Sequence, residues 1–207
     1  MRKIILFVLF CVSCSTQKSV PIINTGQPVL ERTYYQVVGA GELLKNTDSA
    51  TLAIWIRPEG PATGNEDIFN VSVGGKAEEW KTRAGFRVTK DGAFQSVARA
   101  DDFEELSEII TVPRIGKVKE WQHVALTVDY KARKMEFFVD GEPVEILQSL
   151  YRFTKPHTSD TNSHRVTLGA EDDGRTAYFN GDLAGAHVER RVLSQKEIQR
   201  VMRETRP

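Results

Sequence analysis

The sequence predicts an all-β protein in which two antiparallel sheets pack face to face, with one short helix at the C-terminus. Three observations lead there. About a dozen segments of strand length between residues 34 and 189 alternate or cluster apolar residues. Turn residues separate them at short intervals as far as residue 193. Helical periodicity is almost absent between them, and parallel pairing would need helical crossovers, so the strands must pair antiparallel.

The first residues stand apart from this pattern. MRKIILFVLFCVSC has two cations, Arg2 and Lys3, and then an apolar run from Ile4 to Val12. That run is far shorter than the roughly 20 residues a membrane-spanning helix needs, so residues 1–13 read as a signal peptide. Its end, Cys11-Val12-Ser13-Cys14, resembles the lipobox of bacterial lipoproteins, although Cys11 stands where leucine is usual. The resemblance implies cleavage before Cys14 and lipid attachment at Cys14. The alternative is an ordinary secretory signal cut a few residues later, and on either reading the protein is exported to the cell envelope, periplasmic or surface-exposed. Cys11 leaves with the leader and Cys14 carries the lipid, so no disulfide staples the mature fold. Residues 14–32 read as a lipid-anchored linker, polar and broken by Pro21, Gly26 and Pro28.

The domain itself is placed at residues 33–207. Its expected strands are 34–38, 51–57, 68–73, 85–89, 94–98, 108–112, 122–129, 135–139, 144–147, 165–168, 176–179 and 183–189. The best-defined stretch is EWQHVALTVDYKARKMEFFVDGEPV, residues 120–144. There Val124, Leu126, Val128, Met135, Phe137 and Val139 occupy alternate positions and supply one core face. Asp140-Gly141 and Asp91-Gly92 each suit a hairpin turn that needs positive φ. Trp55 and Trp121 are expected in the core, and His123 and His187 as hydrogen-bonded structural residues. The helix begins at Ser194, where Ser194 and Glu197 form a capping box and Leu193 and Ile198 a hydrophobic staple. It is expected to pack on the rim of the sandwich.

Composition narrows the function. The chain carries 28 basic and 28 acidic residues without a long run of either sign, which argues against nucleic acid as a partner and leaves the lipid as the only membrane attachment. It has no G-x-S-x-G elbow and no H-E-x-x-H, because His123, His157, His164 and His187 are dispersed.

Three ordered segments carry a family resemblance. TLAIWIRP at 51–58, EWQHVALTVDY with MEFFVDGEPV, and FNGDLAGAHVERRVLSQKEI at 179–198 resemble the bacterial laminin-G-like domains, jelly-roll sandwiches of the concanavalin A-like type. The resemblance covers roughly residues 34–203. It implies a two-sheet antiparallel jelly roll that binds carbohydrate or protein, often with calcium, and that does not share a single activity across the family. Jelly-roll glucanases carry E-x-D-x-E on one strand, and this sequence does not. The domain is therefore expected to be a non-catalytic glycan-binding module. A protein-binding adhesion or assembly lipoprotein is the alternative, and a glycan-active hydrolase or lyase the third reading.

Candidate ligand-binding residues follow from exposure and chemistry. Trp80, in the charged stretch KAEEWKTR, could stack on a sugar or anchor a protein. Asp101 and Asp102 lie in an acidic loop, and Glu171, Asp172 and Asp173 form the best cluster for calcium should one bind. Relatives with an acidic pair after the glycine-hydrophobic step of the closing strand differ here, where Ala184 and Gly185 stand.

Overall fold

The computed structural model describes residues 20–23, 35–38, 49–74, 81–99, 106–111, 116–148, 163–171 and 176–207. In chain order the elements are β1 (Val20–Ile23), β2 (Tyr35–Val38), β3 (Ser49–Pro58), β4 (Glu66–Gly74), β5 (Lys81–Val88), β6 (Phe94–Arg99), β7 (Leu106–Ile110), β8 (Gln122–Asp129), β9 (Lys134–Val139), β10 (Glu142–Gln148), β11 (Ser163–Leu168), β12 (Gly181–Glu189) and α1 (Gln195–Glu204). They form two six-stranded sheets, β1-β12-β3-β8-β9-β10 and β2-β11-β4-β5-β6-β7. Every ladder is antiparallel. This is the jelly-roll sandwich expected from the sequence.

Two local expectations differ from the structure. Val20–Ile23, inside the segment read as a tether, pairs with β12, Val20 opposite Val188 and Ile23 opposite Ala186. Four residues that include Pro21 are too short a run for alternation to reveal a strand. Conversely, residues 176–179 form no strand: Tyr178 makes one parallel bridge to Asp67, and Ala177 has φ 51°, which interrupts an extended chain.

The inner faces build the core. Leu52, Ile54 and Ile56 of β3, Val124, Leu126 and Val128 of β8 and Met135, Phe137 and Val139 of β9 come from the first sheet. Phe69 and Val71 of β4, Phe86 of β5, Phe94 of β6 and Val166 and Leu168 of β11 face them from the second. Phe137 joins the two sides, with its ring 5.7 Å from that of Phe86 and 5.4 Å from that of Phe94. The β8–β9–β10 register follows from the turn chemistry. Asp140 (φ 51°) and Gly141 (φ 80°) close the β9–β10 hairpin with both residues left-handed, and Asp140 Oδ1 accepts from the His123 backbone N–H at 2.9 Å.

The helix does not lie on the rim. It lies flat on the outer face of the first sheet, where Leu193, Ile198 and Val201 pack on Ala53, Ala125 and Phe138. Small residues at 53 and 125 let the helix approach, and Phe138 fills the remaining space. The capping box forms as expected: Ser194 Oγ accepts from Glu197 N at 3.4 Å and Glu197 Oε2 accepts from Ser194 N at 2.9 Å. Those hydrogen bonds from the Ser194 backbone and hydroxyl hold the Glu197 carboxyl at about 2. A cap of this kind is worth about 0.5–2 kcal/mol, and it fixes the helix that closes this face.

Candidate functional site

With one sheet face closed by α1, an open recess remains at an end of the sandwich. The β3–β4 connection and the chain entering β12 form a cleft of about 430 Å³ lined by Thr63, Gly64, Asn65, Glu66, Ala177, Tyr178, Phe179 and Asn180. The size falls within the roughly 300–1,000 Å³ range of small-ligand sites.

Backbone hydrogen bonds pin both walls. Glu59 N donates to Asn180 O at 2.9 Å, Asp67 N to Ala177 O at 2.8 Å and Phe179 N to Gly169 O at 3.0 Å. Glu66, 5% exposed, joins the walls: its Oε1 accepts from Thr63 N at 3.2 Å and its Oε2 from Asn180 N at 3.1 Å. The carboxylate is thus an internal strut with both oxygens already accepting. Gly181, next in the chain to the lining residue Asn180, makes a close approach to β3, because a Cβ there would lie 2.3 Å from Arg57 O and 2.8 Å from the Phe179 ring. Any side chain at 181 would push β12 off β3.

Beside the cleft, Arg57 Nε donates to Asp182 Oδ2 at 2.6 Å, and its guanidinium lies 5.3 Å from the Trp121 ring. Trp121 is therefore half-buried under a cation rather than in the core between the sheets. Trp55 is buried, but on the outer face, where its indole N–H donates to Met202 O of α1 at 3.2 Å.

The residues singled out from the sequence fare differently. Cys14, Trp80, Asp101, Asp102, Asp172 and Asp173 lie outside the described residues. Glu171 is exposed, and its Oε2 accepts from the Thr176 hydroxyl. Among the described residues no three His, Cys, Asp or Glu side chains converge as a metal site requires. Glu66 and Glu171 each accept from neighbouring donors, and Asp172 and Asp173, the rest of the expected calcium cluster, lie outside the described residues.

His123 and His187 are buried under the helix rather than displayed. His187 Nε2 lies 3.3 Å from Glu189 Oε2, in a chain that continues through Arg191 to Glu197. The expectation of a hydrogen-bonded His123 is corrected, since neither ring nitrogen has a partner among the described residues. Its ring instead packs edge-on to Trp55, centroids 5.3 Å apart. Burial, and then the neighbouring His187, push its pKa down to about 3. A neutral, enclosed imidazole has no access to a substrate.

Sequence reasoning missed Asn65, Glu66, Tyr178 and Asn180. The only signals were a Pro61-to-Gly64 loop and the Asn180-Gly181 pair before the closing strand, and neither shows that the two loops meet.

Residues 29–199 match the family described as the concanavalin A-like lectin/glucanases superfamily, Laminin_G_3, and the chain belongs to it. Among solved structures it is similar to the NanB sialidase of Streptococcus pneumoniae, with TM-score 0.67 and 17% identity over 87% of this chain and 28% of that one. It is also similar to the CBM40 of the Ruminococcus gnavus IT-sialidase bound to α2,3-sialyllactose, with TM-score 0.60 and 19% identity over 84% and 99% of the two chains. A third is the heptameric SAP-like pentraxin of Limulus polyphemus, with TM-score 0.52 and 15% identity over 75% and 70%. At these identities the likeness is one of fold, and the chain spans under a third of the sialidase. No curated protein sequence matches the chain significantly.

Proposed function

We propose that the protein is a non-catalytic carbohydrate-binding module and that the cleft between the two connections is its glycan site. The observation that carries this is the lining itself. Amide and hydroxyl groups of Asn65, Asn180 and Thr63 surround a half-buried tyrosine, Tyr178, in a recess whose walls are fixed by backbone hydrogen bonds. Amides and hydroxyls both donate and accept, as sugar hydroxyls do, and an aromatic ring supplies an apolar surface for a sugar face. The CBM40 with sialyllactose bound has the same fold, which supports the reading.

The lining also favours binding over cleavage. Glycoside hydrolysis needs two carboxyl groups about 5–9.5 Å apart across the scissile bond, and Glu66 is the one carboxylate among the described lining residues. Tyr178→Ala is expected to weaken glycan binding by about tenfold, the order of a lost aromatic contact, with little change in thermal midpoint. Titration calorimetry against a glycan selected from an array measures it, and an array that returns no binder refutes the carbohydrate reading.

We further propose export and a lipid anchor at Cys14. The first described strand and the cleft are at opposite ends of β12. Val20 pairs with Val188 near the end of β12, while Asn180, at the start of that strand, lines the cleft. Eight residue steps, about 27 Å, separate them, so the described chain begins at the end of β12 away from the cleft. Growth with labelled palmitate should mark the wild type and leave Cys14→Ala unmarked. An unmarked wild type removes the anchor.

A further inference from the structure

We infer that the cleft selects uncharged saccharides and discriminates against carboxylated and sulfated ones, an inference that rests on the carbohydrate-binding reading above. No lysine, arginine or histidine is among the described residues that line it. The single charge among the described lining residues is the Glu66 carboxylate, only 5% exposed. A charge held in such surroundings is poorly screened and acts on a ligand over several ångströms.

Two described cations near the end of β3 are already paired, while Arg175, two positions before Ala177, lies outside the described residues. Arg57 bonds Asp182 and lies over Trp121, and Lys119 Nζ lies 3.7 Å from Glu59 Oε1. An anionic sugar entering the cleft would lose water around its charge and meet a carboxylate in place of a guanidinium or ammonium. Asn65, Asn180, Thr63 and Tyr178 make no such demand on a neutral pyranose, whose hydroxyls can exchange water for amide and hydroxyl partners. The preference would oppose that of the CBM40 domain whose structure contains sialyllactose, on the same fold.

The test is an array of neutral, sialylated, uronate-containing and sulfated glycans probed with the full chain, followed by calorimetry at two salt concentrations. Neutral glycans are expected to bind at least about tenfold tighter than acidic counterparts of the same length, with little salt dependence. Asn65 is exposed, so Asn65→Lys should fold normally, and it is expected to narrow the gap about fivefold by placing a cation on the wall. Acidic glycans binding as tightly as neutral ones would overturn the inference and leave the carbohydrate reading intact. A gap that Asn65→Lys does not change would overturn its electrostatic cause. If no glycan of either kind binds, the inference falls together with the reading beneath it.

Discussion

Phe137→Ala is expected to lower the folding free energy by about 3–5 kcal/mol, the range for emptying a fully enclosed phenylalanine site. Phe137 is wholly buried on β9 of one sheet, and both ring partners, Phe86 and Phe94, belong to the other. Truncation therefore removes a contact that crosses the sandwich, and β-sheets cannot collapse onto the gap without shifting whole ladders. With each kcal/mol worth roughly 2–4 °C at this domain size, the midpoint should fall by about 10 °C. Phe137→Leu keeps most of the volume and should cost nearer 1 kcal/mol. Urea denaturation followed by tryptophan fluorescence measures both, and an alanine variant destabilised by less than about 1 kcal/mol would show that Phe137 does not hold the sheets together.

The legibility of this residue in the sequence shows why the fold could be read and the site could not. Phe137 stands in MEFFVDG, where alternation names the inward face and Asp140-Gly141 fixes the register, so strand, face and turn agree over six residues. The same local agreement announces Ser194 and Glu197. The cleft has no such signature. Tyr178 and Asn65 are 113 positions apart and meet only because Glu66 accepts from Asn180 and Gly181 admits β12 against β3. Their types are common in any loop, and nothing within ten residues of either predicts the other. The helix was legible as a helix, but its seat was not: Ala53 and Ala125 read as ordinary strand residues until Ile198 and Val201 are seen to pack on them.

The same covered face yields the strongest pH dependence. Acidification from pH 7.5 to 5 is expected to remove about 2 kcal/mol of stability through His123 alone, given an unfolded value near 6.5 and a folded one of about 3. The sign follows from proton uptake. Between those values the unfolded chain binds a proton that the folded chain excludes, so stability is complete above about pH 6.5 and falls as pH drops towards 3. His187, also lowered, first by burial, acts in the same direction while Glu189 and Glu204 oppose it and Arg200 adds to it. Glu197, held at about 2, titrates below this window. Helix α1 covers the pair, with Trp55 bonded to Met202 O above His123, so the face that takes up the proton is the one on which the helix docks. His123→Leu replaces two unpartnered ring nitrogens with a hydrocarbon. That variant should be no less stable than the wild type at pH 7.5 and should lose at least half of the pH slope. Equal acid destabilisation in both proteins would place the titrating group elsewhere, and a wild type whose stability is flat from pH 7.5 to 5 would show that His123 takes up its proton without leaving the fold.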